Sequence, residues 1–97
     1  LTIEMVRDIT NKFLEQLSNK LYKQLKTMHV TSNALEEINL KAFGSKLGAR
    51  YISKVINESI KQKLAYELLF GEFVYCNKVN IDFDSTFIFE FENSGNA

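Results

Sequence analysis

The chain has 97 residues, enough for one small domain, and its 12 basic and 12 acidic side chains leave it with no net charge. This balance argues against a protein that binds nucleic acid through bulk positive charge. No run approaches the roughly 20 apolar residues of a membrane span, so we expect neither nucleic acid nor a membrane as a partner. One cysteine and one histidine exclude an internal disulfide and a multi-histidine metal site.

The first half of the chain predicts two amphipathic helices joined by a short extended segment. The first helix runs from about Ile3 to Leu25, where apolar residues recur at three- and four-residue steps. The extended segment is Thr27 to Val30. The second helix is short, from about Asn33 to Lys41, with N-cap oxygens at its start.

A third helix follows a loop, Phe43 to Gly48, in which two glycines free the backbone. The helix begins at Ala49 or Tyr51 and ends at Gly71. Its apolar residues repeat every four positions: Ile52, Ile56, Ile60, Leu64 and Leu68.

The end of the chain predicts a β-hairpin. Apolar and polar residues alternate over Val79–Phe83 and over Phe87–Phe91, with a turn at Asp84-Ser85. A lone hairpin is only marginally stable, so it must pack on the helices, and the extended segment is a candidate third strand. We therefore predict an α+β domain over residues 1–92, with three helices and a two- or three-stranded antiparallel sheet, and a disordered tail over residues 93–97.

The tripeptide Gly48-Ala49-Arg50 places a cation in the first turn of the third helix. The helix dipole makes a cation there unfavourable by about 0.3–1 kcal/mol. The position suits an anion, because free backbone N–H groups and a guanidinium would converge on it. The alternative is a solvated arginine in a loop, and the tripeptide alone favours that alternative.

Longer motifs change that balance. The string Phe43-Gly44-Ser45-Lys46-Leu47-Gly48-Ala49-Arg50, followed by an Ile-rich helix, resembles the sensor-2 motif of AAA+ ATPases. The end of the helix resembles that of the Clp unfoldases, and the ClpA and ClpC types more than the ClpB type; it reads Leu64-Ala65-Tyr66-Glu67-Leu68-Leu69-Phe70-Gly71-Glu72. Over about residues 13–91, the chain is thus similar to the small C-terminal subdomain of the second AAA+ module of a Clp ATPase.

The resemblance implies a role as the lid of an ATP site. Gly48, Ala49 and Arg50 would bind the nucleotide: Arg50 would contact the β- and γ-phosphates, and Ala49 would lie near the base or ribose. Leu17 would be a further apolar contact for adenine. Most ligands of Mg-ATP would lie on the large subdomain, because this chain has no phosphate-binding loop and no strand that ends in paired acids. The segment alone is therefore expected not to be catalytic, although its parent chain would be an ATPase.

The implied partners are the large AAA+ subdomains of the same chain and of the neighbouring subunit in a homo-hexamer. The hairpin edge and the third helix would form the contact between subunits, and the isolated chain would be monomeric or weakly associated. The full protein would be an unfoldase that feeds a Clp peptidase.

The chain starts at Leu1 rather than Met and is lysine-rich without proline or tryptophan. We expect a piece of a longer protein, from a bacterial cytoplasm or the stroma or matrix of an organelle, plastid-type included.

Two positions depart from the family pattern. The family usually has proline directly after the arginine, where this chain has Tyr51, and often a polar residue after the loop aromatic, where it has Gly44. Both departures predict a less rigid helix start.

Two other functions compete with the lid. One is a non-enzymatic interaction domain that docks partners through its helices or its aromatic hairpin. The other is a Cys–His catalytic pair, which requires Cys76 to meet His29; neither residue lies in a recognisable motif.

Overall fold

The computed structural model describes residues 1–45 and 48–94. Its elements in chain order are α1 Ile3–Tyr22, β1 Thr27–Val30, α2 Ser32–Phe43, α3 Ala49–Ile56, α4 Gln62–Phe70, β2 Lys78–Asp84 and β3 Thr86–Glu92. A π-helical turn, Asn57–Lys61, joins α3 to α4, and a 3-10 turn, Glu72–Val74, follows α4. The predicted α+β class is confirmed, and the third predicted helix comprises α3, the π-turn and α4. Among the described residues, no helix is long and apolar enough to cross a membrane.

The first helix is shorter than its apolar pattern predicts. It starts at a Thr2 cap, whose Oγ1 accepts a hydrogen bond from Met5 N at 3.1 Å. It ends at Tyr22, because Leu25 takes a left-handed conformation with φ 63°. Lys26 N then donates to Leu21 O at 3.0 Å, which turns the chain into β1.

The sheet has the order β1-β2-β3 and is mixed, which corrects the expectation of a wholly antiparallel sheet. β2 and β3 form the predicted antiparallel hairpin, but β1 pairs with β2 in parallel, with His29 opposite Asn80. The physical reason is the connection: a tight hairpin forces antiparallel pairing, whereas the long helical crossover over residues 31–77 returns the chain to the same end of the sheet.

The start of α2 is bonded to the central strand. Thr31 Oγ1 accepts from Ala34 N at 3.2 Å as the helix cap, and donates to Asp82 Oδ1 at 2.7 Å. Asp82 Oδ1 also accepts from Phe83 N at 2.8 Å. These two bonds, the Thr31 hydroxyl first, lower the pKa of Asp82 because they favour its ionised form.

One core lies between the helices and a single face of the sheet. Its fully buried members from the sheet are Val79 and Ile81, and Phe73 of the 3-10 turn is a fully buried member of the same core. The hairpin phenylalanines pack against this core: Phe83, Phe87, Phe89 and Phe91. The aromatic hairpin is therefore core packing, and the observation that suggested it as a docking surface is removed.

Residues at the ends of the predicted domain fall partly outside the structure. Asn93 and Ser94 exchange hydrogen bonds with Asn77, through Asn93 Oδ1 at 3.1 Å and Ser94 N at 2.9 Å. Residues 95–97 of the predicted tail lie outside the described residues, as do Lys46 and Leu47 of the sensor-like string.

Candidate functional site

The start of α3 leaves backbone N–H groups without an acceptor in the helix. Gly48 is the N-cap residue, and its φ of 64° and ψ of −139° lie in a region that glycine alone adopts without strain. Its carbonyl accepts the first bonds of the helix, from Tyr51 N at 3.0 Å and Ile52 N at 3.3 Å. The N–H groups of Ala49 and Arg50 precede those bonds and so have no acceptor within the helix.

The electrostatics of this turn also favour an anion. Arg50 and Ala49 are both exposed, and the first turn of α3 carries no acidic residue. The salt bridges among the described residues are Arg7–Glu36, Lys63–Glu67 and Lys78–Glu92, so Arg50 is not neutralised by any of them. A phosphate at this turn would meet two free N–H groups, the positive end of the helix dipole and a guanidinium.

Gly48, Ala49 and Arg50 thus lie together at one helix terminus, as their adjacency in the chain requires. The N-terminus of α1 borders this turn, because a methyl group built on Gly48 would lie 3.7 Å from Leu1 Cδ1. Leu17 lies elsewhere: it is buried and packs beside Ile56 and Asn57. Asn57 is seven residues beyond Arg50, or about 10 Å along the helix axis. The suggested adenine contact of Leu17 remains a prediction.

A second concave feature was not predicted from the sequence. A groove of about 210 Å³, the α1–α3 groove, lies between α1 and the continuous helix formed by α3 and the π-turn. The residues that line it from α1 are Phe13, Gln16, Leu17 and Lys20. The residues that line it from α3 and the π-turn are Ser53, Ile56, Asn57 and Lys61. An amide and a lysine four residues apart recur on both sides, at Gln16/Lys20 and Asn57/Lys61. That spacing was visible in the sequence, but only the packing of two distant helices brings the pairs together.

The C-terminal end of α4 shows the structural role of Glu67 and Gly71 in the sequence Glu67-Leu68-Leu69-Phe70-Gly71. The Glu67 side chain folds back over the helix end: its Oε1 accepts from Glu72 N at 2.8 Å, and its Oε2 pairs with Lys63 Nζ at 3.1 Å. The bond from Glu72 N–H, and then that from Lys63, lower the pKa of Glu67. A methyl group on Gly71 would lie 2.0 Å from Glu67 Oε1. This part of the motif therefore terminates the helix.

Beside this cap lies a cluster of exposed apolar side chains. Tyr66 and Phe70 are in ring contact, with centroids 5.5 Å apart, and both are more than half exposed. Leu69 is 70% and Tyr75 82% exposed. Such a concentration of large apolar side chains on a surface is typical of an interaction site.

The Cys–His alternative does not fit the fold. His29 lies opposite Asn80 on β2, whereas Cys76 lies before Lys78, the first residue of that strand. The Cys76 carbonyl accepts a hydrogen bond from Lys26 Nζ at 2.7 Å. Within residues 1–45 and 48–94, no group of three or more histidine, cysteine, aspartate or glutamate residues could hold a metal ion.

Comparison with known proteins matches residues 1–81 to a family described as the C-terminal, D2-small domain, of ClpB protein. The chain is 36% identical over 69 residues to a ClpA homolog protein of Fuscovulum blasticum, covering 71% of this chain and 9% of that protein. It is 29% identical over 84 residues to the ATP-dependent Clp protease ATP-binding subunit ClpC of Staphylococcus aureus (strain USA300), covering 87% of this chain and 10% of that protein. The chain therefore spans about a tenth of the length of these curated relatives.

Proposed function

The chain belongs to the family of D2-small domains of Clp ATPases, and on that premise we propose that it is the lid of an ATP site, with Arg50 as its sensor-2 arginine. The observation that carries the proposal is the first turn of α3, which holds an exposed arginine, two N–H groups without a helical acceptor and no acidic residue. Gly48 permits the turn, and the small side chain of Ala49 leaves room for a nucleotide. The other ligands of Mg-ATP would come from a large subdomain.

Arg50 would act on the phosphate end of the nucleotide. A charge-assisted hydrogen bond contributes about 1.5–3 kcal/mol, which outweighs the cost of about 0.3–1 kcal/mol for a cation at a helix start. Bound Mg-ATP supplies the phosphoryl group and the charge that develops as it is transferred. If Arg50 binds more strongly to that developing charge, it raises the rate of hydrolysis as well as the affinity.

The matching experiment compares Arg50→Ala, Arg50→Lys and Lys54→Ala in the full-length ATPase that contains this chain. A loss of about 1.5–3 kcal/mol of transition-state binding corresponds to roughly a 10- to 150-fold drop in kcat/KM for Arg50→Ala. Arg50→Lys should recover only part of the rate, because lysine lacks the planar fork. Lys54→Ala, an exposed cation on the same helix, should leave the rate unchanged.

Two results would contradict the lid. One is wild-type hydrolysis by Arg50→Ala. The other is sub-micromolar ATP binding or turnover by the 97-residue chain alone, since the proposal leaves most nucleotide ligands on a large subdomain.

We further propose a contact between subunits of a hexamer, formed in part by the outer edge of the β2–β3 hairpin and by the third predicted helix, which comprises α3, the π-turn and α4. β3 is an edge strand that pairs only with β2 among the described residues, and an uncovered edge favours pairing with another chain. The match to ClpA and ClpC relatives favours a protein that feeds a peptidase. Because most of the ring contact would lie on the large subdomain, the isolated chain should sediment as a monomer, and a stable hexamer of it would contradict this assignment.

A docking module is the second candidate function. The cluster Tyr66, Leu69, Phe70 and Tyr75, rather than the hairpin, now favours it. Unchanged hydrolysis by Arg50→Ala, together with loss of partner binding by Leu69→Ser, would support docking over the lid.

A further inference from the structure

The α1–α3 groove has the size of one large side chain. Its volume is about 210 Å³, whereas pockets for drug-sized ligands have about 300–1,000 Å³. A base with its ribose and phosphates would not be enclosed by it. The floor is apolar, because Leu17 and Ile56 are buried at its base and Phe13 is half-buried beside them.

The rim of the groove is cationic and polar. Lys20 lines it from α1 and Lys61 from the π-turn, together with Gln16, Ser53 and Asn57, and none of the described residues that line it is acidic. Neither lysine belongs to a salt bridge within the part of the chain that the structure describes. Each is exposed, so each is accessible to a carboxylate from outside.

The π-turn supplies one wall of the groove. Asn57 and Lys61 are its first and last residues, and its closing bond runs from Gln62 N to Asn57 O. A π-turn inside an α-helix is rare and occurs often at functional sites. The cavity and the π-turn are independent observations, and both fall on the same residues.

We propose that the α1–α3 groove binds a protein segment in which a large apolar residue is flanked by carboxylates. The apolar side chain enters between Leu17 and Ile56, and the carboxylates pair with Lys20 and Lys61. The charge complementarity and the volume select this occupant: an apolar segment would leave both lysines unpaired, and a nucleotide exceeds the cavity. Arg50 lies less than one turn before Ser53, the first groove residue of α3, but does not itself line the groove, and the proposal assigns it no contact with the peptide.

The test uses the ¹⁵N-labelled chain and three capped tripeptides in an NMR titration. Acetyl-Glu-Leu-Glu-amide is the probe, acetyl-Gln-Leu-Gln-amide removes the charge, and acetyl-Glu-Ala-Glu-amide removes the large apolar group. We expect saturable shifts confined to residues 13–20 and 53–61 with the first peptide. Each control peptide should bind at least threefold more weakly.

Variants locate the binding. Lys20→Gln with Lys61→Gln should weaken the probe peptide by about two- to fivefold per lysine, the effect typical of exposed ion pairs. The matched control, Lys12→Gln with Lys54→Gln, removes the same charge from the same two helices outside the groove and should leave the affinity unchanged.

A second pair of variants avoids any loss of packing. Gln16→Glu places a carboxylate on the rim of the groove and should weaken the probe, whereas Asn11→Asp adds the same charge elsewhere on α1 and should not. The proposal is overturned by an absence of saturable shifts at about 10 mM peptide, by equal binding of the three peptides, or by equal effects of the groove and control variants. It is also overturned if ATP, rather than the acidic peptide, shifts the groove residues.

Discussion

Gly71→Ala should destabilise the domain by placing a methyl group where the Glu67 side chain lies. The new Cβ would be 2.0 Å from Glu67 Oε1, 2.6 Å from its Cδ and 3.1 Å from its Cα. The carboxylate would have to leave Glu72 N, and the backbone at the end of α4 would have to shift. The two nearest atoms are the end of a flexible side chain that can move aside, so the cost is mainly the lost hydrogen bond from Glu72 N, about 0.5–1.5 kcal/mol. For a domain of this size, that lowers Tm by roughly 2–12 °C.

Two other glycines provide matched controls in the same thermal unfolding assay, followed by circular dichroism. Among the described residues, the new methyl of Gly44→Ala meets nothing closer than Leu40 O at 3.9 Å, and with φ −72° the change should stabilise the chain by about 0.4–1 kcal/mol. The methyl of Gly48→Ala comes no closer than 3.7 Å to a described residue, but the φ of 64° should cost about 1–3 kcal/mol through backbone strain.

A double-mutant cycle separates the two destabilising mechanisms. In a Glu67→Ala background the two closest contacts of the Gly71→Ala methyl disappear, while the one to the Glu67 Cα remains. The cost of Gly71→Ala should therefore fall without vanishing, with a coupling of about 0.5–3 kcal/mol. The cost of Gly48→Ala should not change. Wild-type stability for Gly71→Ala, or equal costs in both backgrounds, would refute the steric argument.

Two further predictions concern hydrogen bonds at element ends. The hydrogen bonds of Glu67 and Asp82 favour the ionised carboxylates, so the pKa values of both groups are lower in the folded than in the unfolded chain. Their contribution to stability is therefore complete above the unfolded pKa values near 4 and is lost as the pH falls through the folded-state pKa values. Unfolding measured from pH 7 to pH 2 should therefore show a declining stability that Glu67→Gln or Asp82→Asn makes flatter, and equal slopes for wild type and both variants would contradict the assignment. Thr2→Ala, which removes a cap alone, should cost about 1 kcal/mol in denaturant unfolding. Thr31→Ala should cost more, because a cap and the tertiary bond to Asp82 are both lost; equal losses would show that the bond to Asp82 contributes nothing.

Local patterns predict most of this fold. The apolar steps of the helices and the alternation over β2 and β3 are local, so the sequence alone predicts both. The parallel pairing of β1 and the groove between α1 and α3 depend on where distant elements meet, and no short-range pattern encodes that. The π-turn was missed for another reason: Ile56, Ile60 and Leu64 keep a four-residue spacing that an ordinary helix would also show. At the candidate site, the sequence predicted Gly48, Ala49 and Arg50, whereas the exposure of Arg50 and its absence from the salt bridges of the described residues are known only from the structure.

Tyr51, in the position where the family usually has proline, gives the sharpest test of how α3 begins. Tyr51 N donates to Gly48 O at 3.0 Å, and its half-buried ring packs against the core. Tyr51→Pro would remove that bond, worth about 1 kcal/mol, and roughly another 1 kcal/mol of apolar burial. Tyr51→Pro would also disfavour the helical conformation of Arg50, the residue before it. The proline would restrict the unfolded chain, but this would stabilise the fold by only about 0.4–1 kcal/mol.

We therefore expect Tyr51→Pro to lower Tm in thermal unfolding, and Tyr51→Phe, which keeps both the N–H and the ring, to leave Tm unchanged. A higher Tm for Tyr51→Pro would mean that the tyrosine makes the helix start less rigid, as the departure from the family pattern predicts. A lower Tm would mean that the backbone hydrogen bond and the packed ring of Tyr51 stabilise the turn that carries Arg50.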